Sequence, residues 1–222
     1  MGGRCRPARI DGPDAFGRLF SVSRETIRRL ELYEALLHKW QRAVNLVAAG
    51  TLGDVWHRHF ADSAQLARLV PHGATSVVDL GSGAGFPGLV LAIVLAERAP
   101  IRVRLVESDT RRAAFLSEVA RKTGVAVDIL ATRIENPETQ AKICPVDVIT
   151  VRALAPLSRL LALAAPFFAA GTVGLFLKGR DVQREIEEAR AGWRFDVELV
   201  PSLTEADGHV AVVRELAAKT EG

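Results

Sequence analysis

Asp79-Leu80-Gly81-Ser82-Gly83-Ala84-Gly85-Phe86-Pro87-Gly88 is the stretch that decides the fold. It follows a short apolar run at residues 76–80, which reads as a buried strand. It leads into residues 88–97, which read as a helix. Gly81, Gly83 and Gly85 let the backbone turn tightly and approach a ligand where a Cβ would collide. The free N–H groups of the following helix favour electron-rich atoms. A strand, a glycine loop and a helix in that order place a nucleotide-like cofactor at the C-terminal edge of a sheet.

Gly83, Gly85 and Gly88 formally satisfy the dinucleotide pattern, which alone is a weak signal. Asp79 opposes that reading, because its carboxylate would repel a pyrophosphate but suit a cationic group. Pro87 opposes it too, since it removes a backbone N–H where a phosphate would use one. S-Adenosylmethionine carries an ammonium and a sulfonium and no phosphate, so it fits better. Glu107 ends the second strand, 22 residues after Gly85, where a carboxylate can take both ribose hydroxyls. The third strand leads into Thr132-Arg133-Ile134-Glu135, where backbone and carboxylate can meet an adenine edge. The bland alternatives are an ion pair of Glu107 with Arg111 at i,i+4 and a solvated loop acid at Glu135.

Outward from the loop, strands are expected at residues 102–106, 125–130, 146–151, 172–177, 194–200 and 209–214. With residues 76–80 that makes seven. Helices are expected at 111–122, 157–168 and 182–190. The alternation predicts an α/β, Rossmann-like, doubly wound and mostly parallel sheet with an antiparallel C-terminal edge. Upstream, Ile27, Leu30, Leu37, Trp40 and Val44 recur at helical spacing from Ser23. Thr51 and Asp54 have capping-box-like spacing, which opens a second helix through about Leu69. The organisation read from this is a flexible lead-in at 1–20, a helical extension at 21–73 and a catalytic domain at 74–216.

The 222 residues carry 29 Lys plus Arg against 26 Asp plus Glu, a formal charge of +3. That excludes a polybasic coat but leaves room for a local basic patch facing an acidic partner. Cys5 and Cys144 form no C-x-x-C and supply neither a disulfide framework nor a zinc ligand set, so no metal is expected. Arg4, Arg6 and Arg9 occupy the first ten residues without an apolar run, unlike a secretory signal, and a reduced cytoplasm is the expected location. Residues 160–177 lack charge over 18 positions, but Pro166, Gly171 and Gly174 break them into a helix, a turn and a strand rather than a membrane span.

Three segments together resemble a known family: the F-P-G-ended loop, Arg58-His59-Phe60-Ala61-Asp62-Ser63, and Val151-Arg152-Ala153-Leu154-Ala155. Trp40 with Asn45-Leu46, Arg133-Ile134-Glu135 and Leu177-Lys178-Gly179 add to the likeness, which spans about residues 32–213. The family is that of bacterial 16S ribosomal RNA guanine-N7 methyltransferases (RsmG, or glucose-inhibited division protein B). The resemblance implies the class I S-adenosylmethionine-dependent methyltransferase fold. It implies small-subunit ribosomal RNA or the 30S particle as partner, and S-adenosylhomocysteine as product. It implies cofactor contacts at Gly81, Phe86, Glu107, Ser108, Asp109, Ile134 and Glu135, with Arg152 facing cofactor and substrate. This chain departs from the family pattern at Gln41, Val47 and Gly208.

Guanine N7 is an unprotonated lone pair, so methyl transfer to it needs positioning rather than a general base. Arg152, Arg58 and Lys178 are the candidates for substrate positioning. N7 and O6 form the edge that an arginine reads with two hydrogen bonds. Arg58, Arg111, Arg112, Lys178 and Arg180 are the expected RNA backbone contacts. The competing expectations are a pair of Arg152 with Asp147 or a nearby acid, an Arg58–Asp62 pair, packing roles for His59, Trp40 and Trp56, and an acceptor that is a small molecule or protein. A monomer is expected.

Overall fold

The computed structural model describes residues 9–98, 100–152 and 155–219. Seven strands form one sheet in the order β3-β2-β1-β4-β5-β7-β6: β1 (Ser76–Leu80), β2 (Arg102–Val106), β3 (Asp128–Leu130), β4 (Val148–Arg152), β5 (Val173–Lys178), β6 (Trp193–Pro201) and β7 (His209–Ala218). β1 to β5 are parallel, whereas β7 pairs antiparallel with both β5 and β6. The anticipated sheet and its antiparallel edge are both present. Strand order reverses at β1, which has β2 on one side and β4 on the other, and ligands of open α/β sheets bind in the crevice at such a point.

The two-residue period of the strands divides the core. Val77, Leu105, Val148, Leu175 and Val212 face one layer, and their neighbours Val78, Val106, Ile149, Phe176 and Val213 face the other. The first layer holds α1 (Pro13–Phe20), α2 (Arg24–Gln41), α3 (Asp62–Ala64), α4 (Gly88–Leu95) and α5 (Thr110–Thr123). The second holds α6 (Pro137–Ile143), α7 (Leu157–Ala164) and α8 (Val182–Ala189). All eight residues of α4 are buried, because it packs between the sheet and the helical extension. A Cβ at Gly88 would sit 2.5 Å from Asp79 Cβ and from Leu105 Cδ2, so glycine is what lets α4 start against β1.

Several expectations are corrected. Residues 1–8 lie outside the described residues, but the rest of the presumed lead-in holds α1, whose Phe16 is buried against Trp56. The capping box at Thr51 does not form: the Thr51 hydroxyl donates to Ala48 O at 2.8 Å. Residues 49–68 form a succession of 3-10, π, α and 3-10 turns instead of one regular helix. α6 was not anticipated, although Asn136-Pro137 is a start signal; the Asn136 side chain caps Glu138 N. Residues 160–177 do divide into helix, turn and strand, with Gly171 at φ +86°. No helix among the described residues is long and apolar enough to cross a membrane.

Candidate functional site

Two cavities open at the C-terminal ends of β1, β2, β4 and β5, and Arg152 and Leu46 line both. The smaller, about 410 Å³, is walled by Gly81, Ser82, Gly83, Ala84 and Phe86, by Glu107 and Ser108, and by Thr132 to Glu135. Gly81, Gly83 and Gly85 have φ of +72°, +56° and +93°, the left-handed region where glycine is favoured. Gly81 N and Ser82 N both donate to Val106 O, which fastens the loop to the end of β2.

Glu107 is 5% exposed, and its two oxygens accept from Gly83 N at 2.8 Å and Asp109 N at 2.7 Å. The carboxylate is thereby fixed, and each oxygen keeps a further lone pair for a ligand hydroxyl. Its alternative pairing with Arg111 is absent; Arg111 instead stands 3.9 Å from Asp109. Ile134 is buried in the wall, while Glu135 is half-exposed beside Arg133 and Arg159.

The loop brings together most, not all, of the residues assigned to it. Asp79 lies beneath it, 1% exposed, and does not line the cavity. Its Oδ1 accepts from the Thr150 hydroxyl at 2.7 Å, whereas Oδ2 is buried without a hydrogen-bond partner. Burial pushes its pKa up to about 6, against the lowering effect of hydrogen bonds and of Arg152. Gly85 is likewise absent from the wall, and Asp109 caps α5 by accepting from Arg111 N and Arg112 N.

The larger cavity, about 590 Å³, lies across Arg152 and is lined by Arg58, His59, Asp62, Lys178, Arg180 and the β6–β7 connection. Arg152 donates to Arg58 O at 3.0 Å and to His59 Nδ1 at 2.9 Å, and stands 3.4 Å from Asp62. Its guanidinium lies 4.9 Å from the Phe86 ring centroid. The alternative of an ion pair with an acid is met by Asp62 and not by Asp147, which accepts from Thr75 and Ser76 at the start of β1. Arg58 pairs with Glu205 rather than with Asp62. Asp62 instead accepts from the Thr204 hydroxyl at 2.7 Å, which ties α3 to the far wall of the cavity.

Arginine has no acceptor, so His59 Nδ1 must accept and the ring proton must sit on Nε2, facing Thr51 Oγ1 at 2.9 Å. Burial first, then Arg152 and Arg58, lower the His59 pKa to about 3. His59 is therefore a neutral, stacked, hydrogen-bonding residue, 4.8 Å from Phe86. Trp40 and Trp56 also pack: Trp40 against Phe115, and Trp56 against Phe16 and Phe60.

Arg58, Arg152, Lys178 and Arg180 thus share one cavity, Arg112 lines the adjoining one, and Arg111 lines neither. Lys178 is the least available of them. Its side chain is 8% exposed and its ammonium is held by Glu185 at 2.5 Å and by Ala155 O at 3.1 Å. Sequence reading missed Tyr33, Leu46, Thr204 and Glu205. Of these only Leu46, beside Asn45, fell within a noted motif. Among the described residues no group of three or more His, Cys, Asp or Glu side chains is placed to hold a metal ion.

The chain is 51% identical over 203 residues to the ribosomal RNA small subunit methyltransferase G of Parvibaculum lavamentivorans, covering 91% of this chain and 89% of that one. It is 52% identical to the protein of the same name from Rhodospirillum centenum, covering 92% and 91%. Among solved structures, a putative class I S-adenosylmethionine-dependent methyltransferase from Listeria monocytogenes superposes with a TM-score of 0.57 at 14% identity, over 91% of this chain and 70% of that one. A variant of MtNAS in complex with S-adenosylmethionine gives 0.54 at 16%, over 90% and 76%. The fold is therefore that of the class I methyltransferases. The profile of the family described as rRNA small subunit methyltransferase G matches residues 26–211, and the chain belongs to that family.

Proposed function

We propose that this chain transfers a methyl group from S-adenosylmethionine to N7 of a guanine in 16S ribosomal RNA. The observation that carries the reading is the position of Arg152, a single side chain standing between a glycine-loop cavity and a cavity rimmed by arginines.

The smaller cavity fits the cofactor. Its volume is in the range of small-molecule sites. Its loop backbone is open at Gly81 and Gly83, and the Glu107 carboxylate is fixed with lone pairs to spare for ribose hydroxyls. Leu46, Ile134 and Leu163 supply the apolar sides that an adenine ring needs. When bound, the cofactor supplies an electrophilic methyl on a sulfonium. Gly81, Gly83 and Glu107 hold and orient it, and Phe86 and Arg152 close the wall towards the second cavity.

In that second cavity, Arg152 donates to guanine O6 while N7 remains unprotonated and free. No residue has to remove a proton. His59 accordingly has both ring nitrogens engaged and a pKa far below neutrality, which suits a spacer and not a base. Arg180 at the rim, and Arg58 once it exchanges Glu205 for a phosphate, favour a polyanionic acceptor over a neutral small molecule.

The test supplies labelled S-adenosylmethionine with intact 30S particles, naked 16S RNA or neither. Digestion and nucleoside mass spectrometry are then expected to find 7-methylguanosine in RNA. Methyl on another atom overturns the N7 assignment, and label only in protein or small molecules overturns RNA as the acceptor.

A further inference from the structure

The glycine loop is anchored from two sides, and sequence motifs account for only one of them. Its first half is fastened to β2 through Val106 O and Glu107. Its second half is held by α2 of the helical extension, through a residue in no motif. The Tyr33 hydroxyl donates to the carbonyl of Ala84. The Tyr33 ring lies parallel to Phe86, with 9° between planes and 5.4 Å between centroids. At Gly85 a Cβ would overlap the Tyr33 hydroxyl oxygen and lie 2.9 Å from Leu89 Cβ. Gly85, which does not line the cavity, is thus glycine both for its left-handed φ and to admit this hydroxyl.

We infer that Tyr33 is a positioning residue that sets the shape of the cofactor loop. Ala84 and Phe86 form part of the cofactor wall, and Tyr33 grips both without touching the cavity itself. Tyr33 is completely buried, and burial holds its hydroxyl well above the ordinary phenol pKa, so it remains a donor. It is also packed against Phe60 and Phe115, which leaves its ring little freedom to follow the loop if the loop relaxes. The helical extension, on this account, is part of the cofactor site.

The inference rests on the cofactor assigned above, and the test separates the two. Tyr33→Phe keeps the ring and removes the donor. Calorimetry with S-adenosylmethionine is expected to show a five- to tenfold weaker Kd, the size of one lost hydrogen bond. The KM for cofactor should rise by the same factor, with kcat at saturation and the KM for RNA changed less than twofold. A purely structural role would lower Tm and active fraction while leaving Kd alone, and that result overturns the inference. No heat with the unaltered protein overturns the cofactor assignment instead.

Tyr33 is the one tyrosine of the chain. Uniform 3-fluorotyrosine labelling therefore reports on it alone, whether or not the phenylalanine variant folds. A fluorine resonance that shifts on cofactor binding supports the inference, and one that stays put overturns it.

Discussion

Replacing Arg152 with alanine removes one donor group from three acceptors at once: Arg58 O, His59 Nδ1 and the Asp62 carboxylate. The Arg152 and Asp62 side chains are only 17% and 14% exposed. Breaking a buried pair from one side costs about 3–5 kcal/mol. Both cavities open to solvent, and water entering them can take over some of the lost bonds, so about 2–3 kcal/mol of stability is the expected loss. The catalytic effect is separate. One hydrogen bond from the guanidinium to guanine O6 is worth about 1.5–3 kcal/mol, so kcat/KM for RNA should fall roughly 10- to 150-fold. Arg152→Lys should recover little of it, because an ammonium lacks the planar fork that serves Arg58 O, His59 Nδ1 and a base oxygen together. The assays are urea denaturation, cofactor calorimetry and methyl transfer to RNA, each on Arg152→Ala, Asp62→Asn and the double variant. The two single stability losses should exceed the double by about 1–2 kcal/mol, since both remove the same interaction. Additive losses would show that the pair is not formed. Unchanged methylation with unchanged cofactor affinity would remove Arg152 from the site altogether.

Glu107→Gln leaves one acceptor oxygen where two backbone N–H groups now donate, and sets an amide against one of them. Cofactor binding measured by calorimetry should weaken about 10- to 100-fold, the scale of 1.4–2.8 kcal/mol; retention of affinity would deny Glu107 its place. The His59 pKa, lowered to about 3, fixes the sign of an acid effect. The unfolded chain takes up its proton near pH 6.5 and the folded one near 3, so stability is lost as pH falls through that window. Going from pH 7 to 4.5 should cost the unaltered protein about 2 kcal/mol more than His59→Gln in denaturant titrations. Asp79, raised to about 6, acts in the opposite sense but equally in both proteins, and so cancels from the comparison. Arg180→Ala should weaken RNA binding at all sequences and lower the salt slope by about one, with cofactor affinity unchanged; an unaltered slope places Arg180 off the RNA path.

The strand-loop-helix from Ser76 to Leu95 was legible because backbone requirements leave marks: glycines at positive φ, a β-branched strand and an apolar helix. Glu107 was legible for the same reason, as the acid ending the next strand. The pairings of the rim were not. Arg58 and Glu205 are 147 residues apart, and no local pattern announces that the β6–β7 connection folds back over the π-turn. Lys178 and Glu185 are separated by a loop and a helical turn, so helix-face spacing could not pair them. The segment at 49–68 misled because its composition is helical, while its pitch is set by contacts with distant chain, including His57 with Thr204 O and Gln65 with Leu203 N. Tyr33 stayed hidden as an ordinary apolar-face residue of α2, and only the loop carbonyl above it reveals the difference.

The cations of the larger cavity are mostly engaged already: Arg58 by Glu205, Arg152 by Asp62 and Lys178 by Glu185. A phosphate reaching Arg58 has to displace a carboxylate from it, so binding there is an exchange between two anions of similar appetite for the same guanidinium. Exchange gives little net affinity but keeps geometric demand, because only an anion arriving along the right line can outcompete the resident one. Random polyanions gain little from such a rim.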